Sequence, residues 1–211
     1  MRRTICAIVL GGFSVALPVV AGSQAAQSSQ AAQAAQPAPP PLASMTASRA
    51  LVLPAQELLG AADGRTWLAR YDSVLTVLLD EGGIGRSWGY ARDAVRYSRQ
   101  NPTYAADPRA IGALPLKNEK VRTAFALPEP FASRTRMLSA IGNARAVIVP
   151  VSVTLDSTKT PRSGQILIVI VDPKASRVAW SGTLTTSFAG GPLDFADSLA
   201  SVTARLFVAK Q

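Results

Sequence analysis

Apolar residues in the last third of the chain fall in three runs separated by short polar turns. They read A-R-A-V-I-V-P-V-S-V-T-L-D (residues 144–156), Q-I-L-I-V-I-V-D (165–172) and R-V-A-W-S-G-T-L-T-T (177–186). Side chains alternate between the faces of a strand, so this spacing predicts three strands. In the first, Val147, Val149, Val151, Val153 and Leu155 are expected on one face, and Pro150 marks an edge position or a bulge. The second is apolar on both faces, as in a covered or central strand. The third alternates strictly, with Val178, Trp180 and Leu184 against Ala179, Ser181, Thr183 and Thr185, and should be half solvated. D-P-K-A-S-R (172–177) supplies a hairpin turn. A closing helix over 192–208 follows, with Phe195, Leu199, Val202 and Leu206 as its buried stripe. Asp194 and Asp197 suit its positive end and Lys210 its negative end.

Upstream, A-L-V-L-P-A-Q (50–56) reads as a short strand with Pro54 near its exit. Trp67, Tyr71, Val74, Leu75 and Leu78 recur at helical spacing. Asp63 or Thr66 can cap that helix, and Gly82-Gly83 can end it. Residues 83–90 allow a brief second strand. Residues 91–100 predict a helix that Asn101-Pro102 stops. A short helix is expected over 107–114, with Asp107 as N-cap and Pro108 in its first turn. Another is expected over 130–141, with Phe131, Leu138 and Ile141 inward. The order predicts an α/β two-layer sandwich with a mixed sheet. Its first strand returns beside the C-terminal three-strand meander through a helical crossover.

The N-terminus reads differently. Met1-Arg2-Arg3 precedes an apolar run from Ile5 to Val20 and then small residues, which is the pattern of a secretory signal peptide over residues 1–25. Cys6 lies inside the apolar run, where a lipidation cysteine would not stand. Residues 26–48 are rich in Gln, Ala, Ser and Pro and cannot bury enough surface to offset their ordering entropy, so they are expected to form a disordered linker. Residues 49–211 remain as one α/β domain. The expected location is periplasmic or secreted, with no transmembrane span after cleavage.

The runs L-V-L-P (51–54), A-R-A-V-I-V-P-V-S-V (144–153) and I-V-I-V-D-P-K-A-S-R-V-A-W-S-G (168–182), with a helix after the first and another at the end, resemble a bacterial envelope domain. The arrangement is similar to the N-terminal domain of TolB and to CsgG-like and LpoB-like envelope lipoproteins. Those families share the aliphatic strand ending in Pro and the V-D-x-x-x-x-x-V-x-W-S-G hairpin before a final helix. The chain departs from them in lacking a lipidation cysteine and a β-propeller, and in its Arg-rich middle, residues 88–128. The resemblance implies a fold and a compartment, and it transfers no catalytic residue.

Charge and residue chemistry narrow the roles. The chain holds 22 Lys and Arg against 13 Asp and Glu, a formal +9. Loss of Arg2 and Arg3 with the signal leaves +7. Such a protein meets anionic polymers, lipid headgroups or acidic partners, and export argues against nucleic acid. There is no histidine, and the one cysteine, Cys6, lies in the signal. Those two facts remove the usual general base, the Ser-His and Cys-His pairs and a zinc site. No catalytic residue, metal ligand or cofactor site is assigned, and the chain reads as a non-enzyme.

The one positive feature is basic and aromatic. Arg86 and Trp88 precede a helix on which Arg92, Arg96 and Arg99 fall at i, i+4 and i+7. With Tyr90 they form a candidate anion site for a phosphate, carboxylate or glycan. The competing reading is a solvated helix face, with Asp93 and Asp107 as partners and Trp88 in the core. The reading that results is an exported accessory domain that binds another envelope protein. The alternative is a module for an anionic glycan, polymer or lipid through the Arg-rich helix.

Overall fold

A computed structural model describes residues 48–60, 64–84, 87–156 and 161–208. The expected signal peptide and nearly all of the linker, with Asp63, Arg86 and Lys210, lie outside the described residues.

Strands β1 (Ala50–Val52), β2 (Leu58–Leu59), β3 (Ala146–Asp156), β4 (Arg162–Asp172) and β5 (Arg177–Phe188) form one sheet. Its order is β1-β3-β4-β5, with β2 also on β3. β1 and β2 run parallel to β3, and β3, β4 and β5 make an antiparallel meander. Helices α1 (Gly64–Glu81), α2 (Ala91–Gln100), α3 (Glu119–Arg122), α4 (Phe131–Ile141) and α5 (Pro192–Val208) complete the fold. The mixed sheet, the meander, the crossover and the closing helix follow the expectation from sequence.

Pro54 explains why the first strand is broken in two. Leu53 donates to Ile148, and Gln56 resumes with Pro150 and Val153 with Glu57. Proline has no N–H to offer the ladder. The Ala55 N–H is left outside it and donates instead to Asp72 Oδ1 of α1 at 3.0 Å. The brief strand expected over 83–90 is a single parallel bridge, Gly89 to Leu51. Gly83, at φ +78°, closes α1 as expected.

Helices α1 and α5 cover one sheet face with Trp67, Tyr71, Leu75, Leu79, Phe195, Leu199 and Phe207 against Ile148, Ile166, Ile168 and Ile170. This is the expected sandwich core. The second face is filled as well: Val147, Val149, Val151, Val169 and Val171 pack under Ala94, Phe131 and Leu138 and the chain around Ile111 and Leu116. Each large apolar side chain so buried is worth about 1.5–3 kcal/mol.

Two bulges correct the strand faces. In β3 the register slips between Pro150 and Ser152, leaving Val151 as an extra residue. Val147, Val149 and Val151 therefore face α4, while Val153 and Leu155 face α1 and α5. In β5 the slip falls at Ala179. Trp180 and Leu184 pack toward α5, and Val178 toward α4. One inserted residue reverses the side-chain parity of everything beyond it. The edge alternative for Pro150 does not apply, since β3 has partners on both sides.

Two helix expectations change. Residues 107–114 make one turn and not a helix. Asp107 caps it by accepting from the Arg109 N–H at 2.9 Å, and Gly112 at φ +85° ends it. The buried stripe of α5 is Phe195, Ala196, Leu199, Ala200, Thr203, Ala204 and Phe207, so Val202 and Leu206 sit at its margin. The small residues let α5 approach α1 closely enough for Tyr71 to hydrogen-bond Thr203.

Candidate functional site

Helix α2 places the predicted arginines. Tyr90 is its N-cap residue in extended conformation, and the Tyr90 N–H donates to Asp93 Oδ2 at 2.9 Å. Ala91 and Ala94 are buried, which turns Arg92, Arg96 and Arg99 outward. Arg96 pairs with Asp93 at 2.8 Å and lies 5.4 Å from the Tyr97 ring centre. Arg92 and Arg99 form no ion pair among the described residues. The three guanidiniums thus share one exposed face.

The aromatic half of the predicted site is not on that face. Trp88 is 5% exposed and packs edge-on against Phe207, with ring centres 5.3 Å apart. Its indole N–H and the buried Tyr90 hydroxyl have no hydrogen-bond partner among the described residues. Burial first, then the neighbouring Asp80 carboxylate, push the Tyr90 phenol well above its ordinary range. Asp93 serves as the partner expected from sequence, whereas Asp107 is spent on its own turn.

What Arg92 does adjoin is a cleft of about 260 Å³. Asp72, Ser73 and Thr76 of α1 line it together with Arg92 and Arg109. Burial pushes the Asp72 carboxyl up to about 7, against the Ala55 hydrogen bond and the Arg109 charge, which both pull it down. A buried carboxylate with a raised pKa in a cleft is a candidate functional group. Asp72 also has a structural task, because it satisfies the N–H that Pro54 displaces.

The hydroxyls in this cleft are engaged elsewhere or unlinked to its carboxylate among the described residues. The Thr76 hydroxyl donates to the Asp72 backbone carbonyl at 2.8 Å. No hydroxyl among the described residues is hydrogen-bonded to the Asp72 carboxylate. No cluster of metal-ligating side chains occurs among the described residues either. Sequence reasoning missed Asp72 and Arg109. Pro54 signals an orphaned N–H nearby, but which acceptor catches it depends on how α1 docks.

No family model matches the chain, and no curated protein matches it. Solved structures to which the chain is similar include the LpoB C-terminal domain from Salmonella enterica, at 10% identity and TM-score 0.41, over 67% of this chain and 83% of that one. The PelC dodecamer from Paraburkholderia phytofirmans is similar at 17% identity and TM-score 0.38, over 78% and 89%. Lipoprotein GNA1162 from Neisseria meningitidis is similar at 14% identity and TM-score 0.40, over 78% and 99%. The LpoB part of the resemblance read from sequence recurs here, and identities this low fix neither an activity nor a partner.

Proposed function

We propose that the chain is a non-enzymatic exported protein whose α/β domain, from residue 49 onward, binds another protein of the cell envelope along strand β5. The export reading rests on the apolar run behind Arg2 and Arg3. Among the described residues, no helix is long and apolar enough to cross a membrane.

The observation that carries the binding reading is the sheet margin at β5, on whose outer side no strand pairs among the described residues. β5 is 12 residues long and ends the strand order. Beyond the Ala179 bulge it presents Thr183, Thr185 and Ser187 to solvent, with no lysine and no proline. Edge strands are usually blunted by such residues, because unpaired N–H and C=O groups are a template for another strand. An extended segment of a partner can add there, with main-chain hydrogen bonds giving affinity.

A photo-crosslinking residue at Thr185, compared with one at Arg65 on α1, tests this in the native envelope. A discrete adduct from position 185 alone, lost when Thr183 is changed to Lys, is the expected result. Equal adducts from both positions would count against the edge.

A second reading rests on Arg92, Arg96 and Arg99 sharing one exposed face, with Arg92 and Arg109 lining the Asp72 cleft. Here the ligand is an anionic polymer or lipid. Arg92→Ala with Arg96→Ala should weaken that binding and flatten its dependence on salt. Affinity unchanged across a salt series would sink it.

A further inference from the structure

A second cleft, away from α2, gathers positive charge from three separate elements. It measures about 610 Å³ and is lined by Arg136 and Ser139 of α4, by Arg145 in the connection to β3, and by Asp172 and Lys174 of the β4–β5 turn. Arg136, Arg145 and Lys174 form no ion pair among the described residues. Arg136 donates to Ser176 Oγ at 2.6 Å, which fixes its head group. Its charge also helps hold the Glu129 carboxyl below the usual range, after two hydrogen bonds from Ser133.

The backbone around this cleft is held firmly. Asn143 adopts φ +49°, and the Ala144 N–H reaches back to the Ser139 carbonyl at 2.8 Å, closing α4. Ser176 adopts φ +49° and accepts the Leu127 N–H on its carbonyl at 2.8 Å. Asp172 Oδ1 accepts the Lys174 and Ala175 N–H groups at 3.0 Å, so this carboxylate is committed to the turn.

The charges do not cancel. Three cations line the cleft beside one carboxylate, Asp172; Glu129, which Arg136 also faces, and the carbonyl end of α4, about half a negative charge, reduce the positive excess without cancelling it. Two guanidinium forks and an ammonium suit a tetrahedral anion with three acceptor oxygens better than a lone carboxylate, which one fork would satisfy.

We propose that this cleft binds a phosphate group, carried by a lipid headgroup or by a soluble phosphorylated molecule. The site is independent of the β5 edge and of the α2 arginines.

The test uses the full chain and three probes: inorganic phosphate, phosphatidylglycerol vesicles and phosphatidylcholine vesicles. Phosphate is titrated by calorimetry, and vesicles are assayed by co-sedimentation. Arg145→Gln with Lys174→Gln is compared with Arg65→Gln plus Arg205→Gln, which removes the same charge from exposed positions elsewhere. The cleft variant should lose at least tenfold in affinity and the control less than twofold. Loss on phosphatidylglycerol vesicles identifies a lipid source, and loss on phosphate alone a soluble one. Phosphatidylcholine reports any contribution of the apolar N-terminal run. Equal loss in the two variants, or no binding of either anionic probe by the unmodified chain, overturns the proposal.

Discussion

The ring of Phe195 lies against the backbone of Gly164, in space that a Cβ at residue 164 would occupy. Gly164 belongs to β4 and Phe195 to the first turn of α5, so this contact sets how close the closing helix sits to the sheet. Phe195 also stacks on Phe188 at 4.6 Å and meets Trp67 at 5.3 Å between ring centres. Trp67 in turn stacks on Tyr71 at 5.7 Å. Glycine is required at residue 164 by this ring and not by a positive φ.

Gly164→Ala should therefore destabilise the fold by about 1–3 kcal/mol, the usual cost of overpacking a filled core. The β-propensity gain of alanine over glycine is too small to offset it. Urea denaturation measures the loss. Combining it with Phe195→Leu should cost less than the sum of the two, because the smaller side chain vacates the contested space. Strict additivity would mean that the ring and residue 164 do not touch.

Tyr71 and Thr203 give an asymmetric pair. The Tyr71 hydroxyl donates to Thr203 Oγ1 at 3.1 Å, and Thr203 donates onward to the Leu199 carbonyl at 2.8 Å. Both side chains are fully buried between α1 and α5. Tyr71→Phe removes a donor and leaves the Thr203 proton satisfied, so about 0.5–1.5 kcal/mol is lost. Thr203→Val strands the Tyr71 hydroxyl without an acceptor and should cost more, about 1–3 kcal/mol. The double variant should be less destabilised than Thr203→Val alone. Thermal denaturation of the three proteins decides the order.

Much of the fold was legible because it depends on local pattern. The apolar alternation of β4, the Gly83 cap and the Asn101-Pro102 stop are written in adjacent residues. The faces of β3 and β5 were not, since Val151 and Ala179 look like ordinary strand residues and only the pairing reveals them as insertions. Hydropathy points the α5 stripe toward Val202 and Leu206, because it ranks them above Ala200 and Ala204. Close helix packing selects the small residues instead. For the candidate site, the arginine spacing on α2 was readable and the burial of Trp88 was not. Phe207, which Trp88 meets, lies at the far end of the chain. The same distance hid Asp72, whose acceptor role answers a gap that Pro54 opens in another element.

Trp88 offers a direct check on which side of α2 is functional. With its ring against Phe207, Trp88→Ala should cost about 3–5 kcal/mol through the cavity it leaves. Trp88→Phe should cost much less and leave anion binding by Arg92 and Arg96 intact. A Trp88→Phe protein of normal stability that no longer binds the anion would return the indole to the site.

The pH dependence of stability isolates Asp72. Its carboxyl is raised from 3.8 to about 7 in the folded state, chiefly by burial. The folded protein then binds more protons than the unfolded one across that interval. Stability is fully present below pH 4 and is lost as pH rises toward 7. The span corresponds to at most about 4 kcal/mol at 1.36 kcal/mol per pH unit, and to less where water enters the cleft. Asp72→Asn keeps an oxygen to accept the Ala55 N–H and carries no charge. It should be more stable than the parent at pH 7–8, equal to it near pH 4, and flatter between. The Asp197 carboxyl, lowered by its hydrogen bond from Arg70, acts in the opposite sense at more acidic pH, so it does not mask the difference. Arg109→Gln removes the positive charge that pulls the Asp72 carboxyl down, so its decline in stability should extend to higher pH. Urea midpoints at pH 4, 5.5, 7 and 8 measure all three proteins. Parallel curves for the parent and Asp72→Asn would show that this carboxyl titrates as it does in the unfolded chain.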